Sequence, residues 1–223
     1  MQRRPIPIAQ GTVTEAALTA FLGYPESATR QMFIASWVRA RISARTSNVD
    51  PWYKGLWDVS GVYAAFVRRS HFIAGIIKSG ESAIYNVHRS DNRWTHVACI
   101  FNRNGFMQIY FNGLLAAQTT IPGYSNGEHW AGTPVNLLVN FDQANIREFV
   151  FGSTNVDGRV IASPTQIFAL ARRNELPPNV LYWPADEGRG TVCRALYNGQ
   201  RVSSVDMTLA SDAWSVQEDS LGT

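Results

Sequence analysis

The stretch RWTHVACIFNRNGFMQIYFNG, Arg93–Gly113, holds two apolar runs joined by the polar turn NRNG. In WTHVACIF, residues Trp94, His96, Ala98 and Ile100 fall on one side of an extended chain and Thr95, Val97, Cys99 and Phe101 on the other, because strand side chains alternate with a period of two. Both sides are largely apolar, which predicts an interior strand covered on both faces. Asn104-Gly105 supplies the positive-φ positions of a tight hairpin, FMQIYFNG returns as the partner strand, and Asn112-Gly113 turns the chain again into LLAAQTT, giving a three-stranded meander. The head of this hairpin raises a chemical question, since Trp94 and His96 share a face as a functional pair would.

Strand periodicity extends on either side. MFIASWVRARIS, residues 32–43, places Met32, Ile34, Val38, Ala40 and Ile42 on a predicted core face and Phe33, Trp37, Arg39 and Arg41 on the other. YKGLWDVS, GVYAAFVRR and HFIAGIIK follow as short strands between Gly, Ser and Asp punctuation, and NLLVN and IREFVFG come after the meander. The segment PGYSNGEHWAGTP, residues 122–134, has no periodicity and reads as a long loop. One helix is well marked: Ser163 as N-cap, Pro164 at the first helical position and Gln166 completing a capping box, with Ile167, Leu170 and Ala171 as its apolar stripe and Leu176-Pro177-Pro178 as its stop. Beyond it the chain returns to short strands. The expectation is an all-β sandwich or barrel.

A chain of 223 residues is long enough for one generous β domain and cramped for two, so residues 1–223 read as a single domain, with 1–15 as an N-terminal arm and 217–223 as a polar tail. Hydrophobic residues at 45% against charged residues at 17% place it among chains that fold. Charge is uneven: 13 Lys+Arg against 6 Asp+Glu in residues 1–110, and 7 against 11 in 111–223. No basic run is longer than the pairs Arg3-Arg4, Arg68-Arg69 and Arg172-Arg173, which argues against nucleic acid as a partner. All basic residues except Lys54 and Lys78 are Arg, the cation favoured in protein interfaces. Cys99 and Cys193 stand in no metal-ligand spacing, and Cys99 reads as a small core residue. The opening MQRRPIPIAQGTVTEA lacks the apolar core of a signal peptide, and no stretch is long enough to span a membrane. Synthesis in a cytoplasm without export is expected.

FIASWVRARI, WTHVACIFNRNGFMQIYFNG and IREFVFGSTN together resemble the concanavalin A-like lectin/glucanase superfamily, and within it the laminin-G-like modules. The residues that carry the resemblance are Phe33, Ser36, Trp37 and Val38; Trp94, His96, Val97 and Ala98; Ile109, Tyr110, Asn112 and Gly113; and Ile146, Phe149 and Phe151. YWPADEGRGTVCRALYNGQ is similar to a segment that commonly begins such modules, here placed after the module, with Arg194, Ala195 and Leu196 where an acidic residue and its neighbours are usual. That piece is too short for a core of its own and is expected to add strands to the same sandwich. The resemblance implies a jelly-roll sandwich of two antiparallel sheets, with a short helix near 164–175, and it makes Trp94 and His96 framework residues. A buried His in such a frame is expected to have its hydrogen bonds satisfied.

Retaining glycosidases need two carboxylates about 5–5.5 Å apart. The laminarinase-like members of the superfamily carry them on one strand, and no comparable strand occurs here; Asp186-Glu187 would point apart and Glu218-Asp219 lie in the tail. No nucleophile elbow, zinc motif or phosphate loop is present, so the chain is not expected to be an enzyme, and no cofactor is expected. Asp142 and Asp157 lie in loops from which a calcium ion could be reached, but Asp in such turns is ordinarily a turn former, and calcium stays unassigned.

Glycan or partner contact falls instead to loop aromatics and short polar groups: Tyr124, Asn126, Glu128, His129 and Trp130 in the 122–134 loop, and Trp52 and Tyr53 with Trp57 nearby. The function expected is a non-catalytic attachment or docking module. In the absence of an export signal, a phage virion component such as a capsid decoration or tail fibre fits, touching other virion proteins, its own copies or a cell-surface glycan. A soluble carbohydrate-binding lectin is the alternative, and a glycoside hydrolase stands behind both.

Overall fold

The computed structural model describes residues 6–7, 11–22, 31–40, 54–59, 62–68, 71–78, 81–89, 94–102, 106–120, 135–137, 144–154, 160–184 and 190–209. Along the chain these form β1 (Ile6–Pro7), β2 (Gly11–Val13), α1 (Glu15–Leu22), β3 (Gln31–Ala40), β4 (Lys54–Val59), β5 (Val62–Arg68), β6 (His71–Lys78) and β7 (Glu81–Arg89). Next come β8 (Thr95–Asn102), β9 (Phe106–Phe111), β10 (Leu114–Thr120), β11 (Val135–Leu137), β12 (Ala144–Thr154) and α2 (Pro164–Arg173). The last are β13 (Leu181–Trp183), β14 (Val192–Cys193), β15 (Leu196–Tyr197), β16 (Gln200–Arg201), a 3-10 turn (Ser203–Val205) and β17 (Met207–Leu209). Among the described residues the strands make two antiparallel sheets, the jelly-roll sandwich expected. The larger runs β10-β9-β8-β3-β12-β13-β15-β16, with β1 also on β12, and the smaller runs β14-β17-β2-β11-β4-β5-β6-β7.

The meander forms as the alternation dictates. Val97 lies opposite Phe111 and Cys99 opposite Ile109, while Ala98 lies opposite Tyr110, so the two faces of β8 continue onto β9. Asn112 (φ 51°) and Gly113 (φ 85°) then turn the chain into β10, the two consecutive positive-φ positions a tight hairpin requires. Asn104-Gly105 lies outside the described residues. Residues 95–100 are all buried, so β8 is an interior strand with no face given to water.

β3 differs from its sequence reading. Its predicted core face is buried at Met32, Ile34 and Val38, but Phe33 and Ala35 on the opposite face are buried as well. The cause is a third layer. Phe33, Ala35, Ala98, Ile100, Tyr110 and Val150 pack with Ile161, Ala162, Ile167, Leu170 and Val180, so α2 and the segments on either side of it cover the sheet face that the smaller sheet does not.

The helix is placed by specific contacts. The Ile161 N–H donates to Gln31 Oε1 (2.8 Å), and Gln31 Nε2 donates to Asn102 Oδ1 (2.8 Å), tying the segment before the helix to β3 and β8. Ser163 Oγ accepts from the Gln166 N–H (3.3 Å) while the Ser163 N–H donates to Gln166 Oε1 (2.8 Å), the capping box read from the sequence. The helix ends before the prolines: Asn174 takes the left-handed conformation (φ 57°) and its N–H reaches back to the carbonyls of Ala169 and Leu170. Gly152 and Gly113 let the helical layer settle, since a Cβ on Gly152 would lie 2.5 Å from Ile161 Cγ2 and one on Gly113 2.8 Å from Phe168 Cα.

Segments the sequence reading did not mark include α1, whose N-terminus Thr14 caps by accepting from the Ala17 N–H (3.2 Å), and β7, which pairs with β6 along its length. The segment 1–15 supplies β1 to the larger sheet and β2 to the smaller. The residues after the helix likewise supply strands to both: β13, β15 and β16 to one, β14 and β17 to the other. Trp183 is buried and donates from Nε1 to the Val205 carbonyl (3.1 Å), and Asp206 receives a two-pronged ion pair from Arg201 and the Ala195 N–H (2.9 Å). Burial pushes the Asp206 carboxyl upward, but these hydrogen bonds and the charges of Arg201 and Arg194 outweigh it and hold the group below its usual range. Gly113→Ala is expected to cost about 2 kcal/mol in chemical denaturation, combining the positive φ with the clash against the helix backbone.

Candidate functional site

The expected contact residues Tyr124, Asn126, Glu128, His129 and Trp130, and Trp52 and Tyr53, all lie outside the described residues, as do Asp142 and Asp157. The strands that flank them are described. The segment 121–134 follows Thr120, which lies opposite Phe106 at the end of β10, and leads into Val135, which lies opposite Val59 and Val13. Its two ends therefore belong to different sheets. Trp52 and Tyr53 immediately precede Lys54, whereas Val135 sits at the far end of β4; six residues of strand, roughly 20 Å, separate those two points. Trp57 lies within β4 opposite Leu137 and Ala65.

At the end of the larger sheet where Asn112-Gly113 turns, the described residues assemble an aromatic and cationic row. Trp37 is the register partner of both His96 and Arg147, so the three lie side by side on the face that carries α2. The Arg147 guanidinium carbon lies 4.2 Å from the centroid of the Trp94 ring and 5.6 Å from that of Trp37. Trp37 meets His96 edge to face, with centroids 5.4 Å apart and planes at 71°. Trp37, Trp94 and Arg147 are half-buried. Such stacking desolvates one side of the guanidinium and leaves its edge to make directed hydrogen bonds.

The main chain of His96 is tied to the turn: its backbone N–H donates to Asn112 Oδ1 (3.1 Å) and its carbonyl accepts from the Asn112 N–H (2.8 Å), so the Asn112 side chain holds the hairpin turn against the head of β8. The ring departs from expectation, because its buried Nδ1 has no hydrogen-bond partner among the described residues. The imidazole is buried in the sheet against the Trp37 ring, and burial pushes its pKa down to about 4. The ring is neutral at neutral pH and carries no charge to a ligand.

Arg147 is aimed by an irregularity that nothing in the sequence announced. Between the pairs Arg147–Trp37 and Val150–Ala35, β12 has two residues where β3 has one, and Glu148 adopts a left-handed conformation (φ 56°). The Glu148 N–H donates to the Pro184 carbonyl (3.3 Å). On one side of this bulge β12 pairs with β1, at Asn145 and Ile146; on the other it pairs with β13, at Phe149 to Phe151. The bulge is the point where one neighbouring strand hands over to the next. Glu148 itself is buried, as is Ser36 opposite. Cys99 and Cys193 are buried thiols, that of Cys99 pushed well up by burial, and among the described residues no three of His, Cys, Asp and Glu group as metal ligands.

Two outcomes follow from this geometry. Below pH 6.5 the unfolded chain takes up a proton that folded His96 refuses, so His96 lowers stability progressively down to about pH 4, by about 3 kcal/mol in total, and not further below it. Denaturation of wild type and His96→Gln across that range should show the difference as an extra slope in the wild type alone. Glu148→Ala and Glu148→Gly both delete the carboxylate but only the second removes the backbone strain, so the Gly variant is expected to be the more stable by about 1 kcal/mol.

No family model matches the chain, and no curated protein matches it. Among solved structures it is similar to the binding domain of Paraclostridial Mosquitocidal Protein 1, at 14% identity and a TM-score of 0.48, covering 65% of this chain and 37% of that one. It is similar at 17% identity, with TM-scores of 0.48 and 0.47, to a botulinum neurotoxin type C structure, a toxin whose cell entry depends on interaction with two ganglioside molecules, and to the binding domain of botulinum neurotoxin DC in complex with rat synaptotagmin II. Each of these covers 72% of this chain and 38% of that one, so the chain spans little more than a third of the structures it matches.

Proposed function

We propose that the chain is a non-catalytic attachment module, a lectin-like sandwich that presents loop aromatics to a protein or glycan. The observation that carries this reading is where the 121–134 segment is anchored. It starts at the end strand of one sheet and finishes in the middle of the other, between β2 and β4, so a segment that carries Tyr124, Asn126, His129 and Trp130 joins the two sheets. Aromatic faces with short polar neighbours suit the C–H surface and hydroxyls of a sugar, and equally the anchors of a protein interface. The Trp94 ring stacks on Arg147 and the His96 ring meets Trp37 edge to face, and the sequence offers no strand with paired carboxylates for hydrolysis.

In its finer form the proposal places the module in a phage particle, touching other virion proteins or a cell-surface glycan; a free lectin uses the same surface. A glycan array probed with wild type and Trp130→Ala separates these. Wild type should bind and Trp130→Ala should bind roughly 30-fold more weakly with an unchanged circular dichroism spectrum, the usual scale for truncating an aromatic anchor. A wild type silent on the array overturns glycan contact and leaves protein docking, for which Trp130→Ala should be depleted from assembled particles. Turnover of any arrayed polysaccharide would sink the non-catalytic reading.

A further inference from the structure

One kind of two-residue turn recurs among the described residues in two different settings. Asn112 (φ 51°) and Gly113 (φ 85°) join Phe111 to Leu114, and Asn198 (φ 49°) and Gly199 (φ 78°) join Tyr197 to Gln200, each as the loop between paired strands. In both, the Asn side-chain oxygen accepts a backbone hydrogen bond: Asn112 Oδ1 from the His96 N–H (3.1 Å) and Asn198 Oδ1 from the Asn179 N–H (3.2 Å). What differs is access. Gly113 is buried and Asn112 half-buried, and the α2 backbone closes over that turn, so that a Cβ on Gly113 would lie 2.8 Å from Phe168 Cα. Asn198 and Gly199 are both exposed, and a Cβ on Gly199 would meet no described atom within 4 Å.

We propose that Asn198 is a site of spontaneous modification, at which the side-chain amide is lost and the turn is rebuilt as aspartate or isoaspartate. Solvent hydroxide takes the proton from the Gly199 nitrogen, which then bonds to Asn198 Cγ; with no Cβ on Gly199, nothing hinders that approach. The Asn179 N–H donates to the oxygen on which negative charge collects. The bond from Cγ to Nδ2 breaks, ammonia leaves with a proton from water, hydroxide is regenerated and a five-membered imide remains. Water then opens the imide. Addition at Cγ gives aspartate with the original main chain, and addition at the Asn198 main-chain carbonyl gives isoaspartate, whose main chain is one carbon longer. The longer chain no longer fits between Tyr197 and Gln200, and it displaces Arg201, which holds Asp206 and the Ala195 carbonyl. Asn112 has the same Gly neighbour but reacts only when its hairpin opens, so the population of that opening limits its rate. This inference is independent of what the module binds.

Incubation of the whole chain at mildly alkaline pH, followed by peptide mapping by mass, tests it; cleavage after Arg194 and Arg201 isolates Asn198 in the peptide ALYNGQR. In the folded chain the amide at Asn198 should be lost at least about tenfold faster than that at Asn112, and in denaturant, where both turns are open, the two rates should converge to within about threefold. Both aspartate and isoaspartate should be found at position 198. Equal rates at the two sites in the folded chain, an Asn198 still intact when the denatured chain has lost its amide, or aspartate as the sole product, which would exclude the imide, overturns the proposal.

Discussion

β3 and β8 have no face to give to water. An ordinary sandwich sheet buries one side against its partner and wets the other, but here Phe33, Ala35, Ala98 and Ile100 are as dry as Met32, Ile34, Val97 and Cys99. A sheet built this way needs cover on both sides, and the chain supplies the second cover with one ten-residue helix. Much of the local design serves that helix: the capping box that starts it, the Asn174 conformation that ends it, the Gln31 side chain that tethers its approach, and two glycines that let it come close. The apolar area sealed between α2 and the sheet is the principal gain offsetting the entropy of ordering the segments around it.

Beyond the cluster that packs with α2, the same sheet face is finished by Trp37, Trp94, His96 and Arg147. Aromatic rings and a stacked guanidinium can border solvent while still burying area, which an aliphatic row could not do as cheaply. The Glu148 bulge is what brings Arg147 into that row and Val150 back into the helix-covered face, so a single strained residue keeps β12 in step with β3 on either side of the handover from β1 to β13.

The meander and the helix start were legible because their determinants are local. Period-two alternation, Asn-Gly at the turn and Ser-Pro-x-Gln at the cap each act within a few residues. What was missed depends on distant partners. The dry second face of β3 could not be told from Phe33 and Ala35 alone, because the residues that cover it are more than a hundred positions away. The end of α2 at Asn174 lost out to a more conspicuous signal in Pro177-Pro178. The bulge carries a Glu where Gly or Asn would have announced a left-handed residue, and β7, ESAIYNVHR, mixes charge with apolar residues without a clean period. Of the proposed contact site only composition was legible; the described strands add where its segments are anchored and that Trp52-Tyr53 and Val135 adjoin opposite ends of β4.

Thr12 pairs with Thr208 and Gly11 with Leu209, so β2 and β17, nearly the whole described chain apart, are hydrogen-bonded neighbours. Most of the other pairings join strands far closer in sequence and can form early. Among the described ladders this one closes the largest loop, which makes it entropically late and the sandwich slow to fold. During synthesis the smaller sheet waits with β2 unpaired on that side until Leu209 has emerged from the ribosome, and throughout that interval the nascent protein exposes a strand margin that chaperones would have to shield.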